Sequence, residues 1–222
     1  MSALGSNLQW NDIEIGRFPK LEEYYEQNHM LGKHSVAEEV KKIVGESIWN
    51  EYFTFSFVRH PYSRAISLYT YIQRMLRNKY SKNRFPFWKK RDNTPFWSWS
   101  VTKAFLESKN FSEFIRNENF LKYPGAQPQV NWVLDSKNEP LVDFIGKYEN
   151  LAIDFEKVTK KVSGKRIELK SVNISTGKSS PSSYLREEAD YNYLAELYKR
   201  DFIAFNYDPS LRFQNVATRV AA

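Results

Sequence analysis

The chain has 222 residues, 41% of them hydrophobic and 16% aromatic, which is too apolar for a disordered segment and sufficient for a sizeable core. Its 33 Lys and Arg outnumber 26 Asp and Glu, and the net charge of +7 favours an anionic partner: a nucleotide, an acidic saccharide, a membrane surface or nucleic acid. With no cysteine, disulfides, thiolate catalysis and cysteine-ligated metals are excluded, and His29, His34 and His60 show no metal-ligand spacing.

Composition shows no break along the chain, so a single domain over 1–222 is expected. Residues 1–33 are polar and weakly patterned, without the charged and apolar regions of a signal peptide. No apolar run approaches the roughly 20 residues of a membrane span. These features suit a cytoplasmic protein, with a fragment of a Golgi-lumen protein as the alternative. Ser35-Val-Ala-Glu38 reads as a capping box, and Val36, Val40, Ile43 and Val44 then repeat at helical spacing. Tyr52–Val58 alternates aromatic or β-branched residues with small polar ones, a strand pattern. Arg59-His-Pro61 breaks it. A helix then begins near Tyr62, with an apolar stripe of Ala65, Leu68, Tyr69, Ile72, Met75 and Leu76.

Residues 77–100 form an irregular basic, aromatic insertion. Helical patterning resumes at 102–108 and 112–117, and Val142–Tyr148 reads as a second strand. Asn150 is placed to cap a helix carrying Leu151, Phe155, Val158 and Val162; Lys165–Ser183 reads as strand and loop, and a last helix covers about Arg186–Phe205. Strands alternating with helices predict an α/β fold with a mainly parallel central sheet flanked by helices.

In such sheets ligands collect beyond the carboxyl ends of the strands, where Arg59 lies. The following helix offers unpaired N–H groups and a partial positive charge, while arginine adds a planar fork that binds phosphate bidentately. Ser67 shares a face with the first turn of that helix, four residues after Ser63. The structural alternative is an arginine that caps the sheet edge and a serine that packs.

The full string Phe57-Val-Arg-His-Pro-Tyr-Ser-Arg-Ala-Ile-Ser-Leu-Tyr69 resembles the 3′-phosphate motif of carbohydrate sulfotransferases, the chondroitin- and dermatan-type enzymes and their bacterial relatives. Four further segments resemble that family in order: Gly32–Glu39, Gln127–Asp135, Val142–Leu151 and Asp201–Tyr207. The resemblance implies a P-loop-nucleotide-hydrolase-like fold and 3′-phosphoadenosine-5′-phosphosulfate (PAPS) as co-substrate, without a metal. It also implies a saccharide hydroxyl as acceptor. Arg59 and Ser67, eight positions apart, take the 3′-phosphate roles, and Arg64 braces the turn. The family's opening loop of the type Pro-Lys-x-Gly-x-Thr is not found; Pro19-Lys20 is followed by Leu-Glu-Glu and carries no glycine. The first strand and loop are therefore expected to be missing, through truncation or through divergence to a binding half-site.

Sulfuryl transfer needs positioning, charge neutralisation and a base for the acceptor proton. His34, ahead of the capped helix, is the candidate base, with a backbone-bonded flanking residue as its structural alternative. His60 more naturally orients the phosphate turn. Lys178, in Ser175–Ser180, sits where many sulfotransferases close a basic loop over the donor, or is a solvated loop lysine. Arg74, Arg77 and Trp88 belong to the basic, aromatic stretch that would face the acceptor, since aromatics stack on sugars and cations attract their carboxylates or sulfates. The same interleaving suits single-stranded nucleic acid, a weaker alternative, or a partly packed surface cluster. A nucleotide- or acidic-glycan-binding module without turnover is the second reading. The sequence leaves the oligomeric state open.

Overall fold

In the computed structural model the described residues are 27, 31–32, 34–81, 95–167, 169 and 181–213, with backbone alone for 79–81 and 95. They show a mixed α/β architecture, mostly helical, with a small parallel sheet. Two units are distinguished: residues within Met1–Arg59 and Gln129–Thr176 make the first, those within His60–Pro128 and Gly177–Ala222 the second.

The first unit is built on strands β1 (Phe55–Val58) and β2 (Phe144–Lys147), paired in parallel with Phe55 opposite Phe144 and Phe57 opposite Gly146. β1 is shorter than its alternating pattern predicts because Thr54 is bonded to a side chain. Asp143 Oδ2 accepts from the Thr54 amide (2.7 Å) and hydroxyl (2.9 Å), and the Asp143 amide donates back to Thr54 Oγ1 (3.0 Å). This reciprocal pair fixes the register at the start of the sheet. Gly146 allows close approach: a Cβ there would lie 2.5 Å from the Phe57 ring.

Helices α1 (Ala37–Val44) and α2 (Glu46–Glu51) precede β1, parted by Gly45 at φ +84°. The expected Ser35–Glu38 capping box is displaced by one residue. Ser35 Oγ accepts from Gly32 N–H (3.0 Å), while the Glu39 carboxylate reaches back to the Val36 N–H (3.1 Å).

Between the two strands this unit also contains a short helix, Val130–Val133, whose Val130 and Val133 are buried. After β2, Tyr148–Asn150 forms a 3₁₀ turn that leads into the helix Leu151–Ser163, which ends at the left-handed Gly164. Asn150 occupies the cap position but makes no side-chain cap bond, correcting that expectation. Instead, Asp154 in the first turn accepts from the Lys147 amide (2.9 Å) and from Lys157 Nζ (2.8 Å), tying the strand end to the helix.

The second unit packs around α3 (Pro61–Ser81). Its buried stripe is Tyr62, Ala65, Ile66, Tyr69, Ile72 and Leu76, with Leu68 and Met75 at the margin. Against it lie α4 (Ser100–Glu107), α5 (Phe111–Arg116) and α6 (Glu118–Leu121), contributing the fully buried Phe114, Ile115 and Phe120. Each such side chain contributes about 2 kcal/mol by burial. Counting Val130–Val133 as α7 and Leu151–Ser163 as α8, the last helices are α9 (Glu188–Leu197) and α10 (Lys199–Ala204). The predicted single helix over 186–205 is thus broken at Tyr198 (φ −109°, ψ 21°), whose buried hydroxyl donates to the Ala126 carbonyl at 2.8 Å.

Candidate functional site

At the carboxyl end of β1, Arg59 is held by its backbone. Gln129, immediately before α7, accepts from the Arg59 N–H through Oε1 and donates to the Arg59 carbonyl through Nε2, each at 2.8 Å. One side-chain amide thus takes both backbone groups that the end of the strand leaves unpaired. The Arg59 guanidinium stacks on Tyr148, 4.4 Å from the ring centroid. Its Nε is buried and has no hydrogen-bond partner, and it has no carboxylate partner among the described residues. An arginine with a supported stem and an unsatisfied planar fork suits phosphate or sulfate.

His34 is exposed, and its ring meets Trp132 of α7 edge-on, with centroids 6.3 Å apart. The segment Gln129–Val133 therefore touches both the candidate base and the candidate phosphate arginine. Sequence reasoning missed Gln129 and Tyr148 as site residues, although both lie in segments singled out for family resemblance. The discriminating signal is a pairing, and a pairing leaves no periodic trace along the chain.

In the second unit, the remaining motif residues have mostly structural roles. Arg64 forms an ion pair with the fully buried Asp201 (3.4 Å) and donates to the carbonyls of Gly125 (2.9 Å) and Gln127. It also lies 5.2 Å from the Tyr198 ring centroid. Burial pushes the Tyr198 hydroxyl strongly up in pKa, against the opposing pull of Arg64. His60 is buried among Tyr62, Phe202 and Tyr207, with ring centroids 5.1 to 5.5 Å away, and its Nε2 lies 3.2 Å from the Asp208 carbonyl. Arg64 is thus tied to Asp201 and to the carbonyls of Gly125 and Gln127, and His60 is a residue packed among aromatic rings.

Ser67 is half-buried on α3, and its hydroxyl makes no hydrogen bond among the described residues. Arg74, half-buried, has its guanidinium 5.8 Å from the Tyr71 ring centroid, and Arg77, one turn on, is exposed. Lys178 and Trp88 lie outside the described residues. Among the described residues no cluster of three or more His, Asp or Glu could hold a metal, and no helix is long and apolar enough to cross a membrane.

A small parallel strand pair among helices, with Arg59 following the carboxyl end of β1, defines a mixed α/β protein. Comparison with known families makes the class specific. The model of the sulfotransferase family matches residues 5–208, and the chain belongs to that family. The match opens well upstream of Gly32, where the first of the motif segments begins. An uncharacterized protein of Archaeoglobus fulgidus is 25% identical over 134 residues, covering 55% of this chain and 78% of that protein. No solved structure matches.

Proposed function

We propose that this chain transfers a sulfuryl group from PAPS to a hydroxyl of a saccharide acceptor, on a P-loop-nucleotide-hydrolase-like fold. Family membership supports sulfuryl transfer. The observation that carries the donor assignment is Arg59: a guanidinium at the end of β1, stacked on Tyr148, with a buried and unpartnered Nε. Arg59 and Ser67 are assigned to the 3′-phosphate on the spacing of the motif string, and Lys178 to the donor's covering loop. His34 is assigned as the base that takes the acceptor proton, with Trp132 orienting its ring. Arg74, Arg77 and Trp88 are assigned to the anionic saccharide, and a nucleotide sulfuryl donor and a hydroxyl acceptor are the only partners the reaction requires.

A second reading, donor or acidic-glycan binding without turnover, is favoured by Glu22 and Glu23 beside Pro19-Lys20, where a glycine would let the backbone cradle the phosphosulfate. Adenosine 3′,5′-bisphosphate is expected to raise the melting temperature, and Arg59→Ala to abolish that rise. Equal stabilisation by adenosine 5′-monophosphate would remove the 3′-phosphate assignment. Transfer of labelled sulfate from PAPS to a saccharide separates the enzyme from the binding module, and binding without transfer would establish the latter.

A further inference from the structure

The carboxamide of Gln129 occupies a place usually filled by a neighbouring strand. At the end of β1 the Arg59 N–H and C=O both need partners. The Gln129 Oε1 and Nε2 meet them at 2.8 Å each, in the only orientation of the amide that pairs donor with acceptor at both ends. Gln129 is itself held: Val130 and Val133 of α7 are buried at 1% and 4% exposure, so the short helix is anchored by its apolar side. The result is an arginine whose backbone is fixed from one side and whose guanidinium rests on Tyr148, with Nε buried and unpaired. A fixed backbone and a ring beneath the guanidinium remove freedom that a bound anion would otherwise have to remove.

We infer that Gln129 is a positioning residue for anion binding at Arg59, with Tyr148 as the platform for the guanidinium; this rests on the assignment of Arg59 to the donor's 3′-phosphate. Gln129 does not touch the ligand. It holds the Arg59 peptide so that the unsatisfied fork is aimed before the nucleotide arrives.

The test compares the full chain with its Gln129→Ala and Gln129→Glu variants. Dissociation constants for adenosine 3′,5′-bisphosphate and adenosine 5′-monophosphate are measured by calorimetry, beside the urea midpoint and hydrogen exchange at the Arg59 amide. The wild type is expected to prefer the bisphosphate. Gln129→Ala is expected to lose about tenfold in bisphosphate affinity, with little change for the monophosphate, and to expose the Arg59 amide to exchange; tenfold corresponds to about 1.4 kcal/mol. Gln129→Glu preserves volume and one acceptor, so it reports on the clamp if the alanine variant does not fold. It loses the donor to the Arg59 carbonyl, so the same loss of preference is expected.

A merely structural Gln129 would lower the urea midpoint and leave the ratio of the two affinities unmoved. If the wild type shows the preference and both variants keep it, the positioning role is overturned. A wild type without any preference overturns the 3′-phosphate assignment, and the inference with it, a result distinct from the former.

Discussion

Arg59 and Arg64, five positions apart in one motif, put the same functional group to opposite uses. Arg64 is saturated by Asp201, two backbone carbonyls and the Tyr198 ring. Arg59 has a ring beneath it and an unpaired Nε. Removing a partner from a buried ion pair leaves an uncompensated charge, so Asp201→Ala is expected to cost about 3 kcal/mol of stability in urea denaturation. Arg59→Ala, losing chiefly a cation–π contact, should change stability by less than about 1 kcal/mol while removing the nucleotide-induced melting shift. The motif string distinguishes these two arginines, because its order of residues carries the information. It says nothing of Gln129, which lies 70 positions from Arg59 and meets it only in the fold.

At the level of elements, the sheet's start and centre each depend on one pair of residues. The bond from the Thr54 amide, followed by that from its hydroxyl, holds the Asp143 carboxyl below the usual carboxylate range. A depressed folded pKa contributes stability above the unfolded value of about 4, and that stability is lost as pH falls through the folded pKa. Asp143→Asn should therefore destabilise the chain at pH 7, and the gap from wild type should narrow as pH falls below about 4 in denaturant titrations. Gly146→Ala, forcing a Cβ to within 2.5 Å of the Phe57 ring, should cost about 1–3 kcal/mol by the same measurement. Both strands were legible in the sequence, the first from its alternation, and their ends were not, since side chains such as Asp143 replace ladder bonds there. Likewise, adjacent Glu38 and Glu39 offer two registers for the α1 cap, and the fold takes the second. The apolar period over 186–205 spans the break at Tyr198 because both helix pieces bury the same side.

Over the molecule as a whole, the alternation of strand and helix gave the α/β class, and the ordered motifs gave the family. Their individual contacts depend on chain closure and left no local signal. A ligand bound only by the folded chain at about 100 times its dissociation constant adds about 2.7 kcal/mol. For a chain of this size that is a rise of roughly 5–10 °C with adenosine 3′,5′-bisphosphate in scanning fluorimetry. With a net charge of +7 and an anionic ligand, the rise should shrink as salt increases at fixed nucleotide. The pairing of Arg64 with Asp201 across 137 residues also sets an order of events on the ribosome. At about 10 residues per second, Asp201 follows Arg64 by more than ten seconds. Until then the nascent α3 has neither its buried carboxylate nor the Tyr207 and Phe202 rings around His60. The second unit's core is thus completed only once residues 201–207 have emerged, and nascent chains stopped before residue 201 should remain sensitive to protease and depend on chaperones throughout.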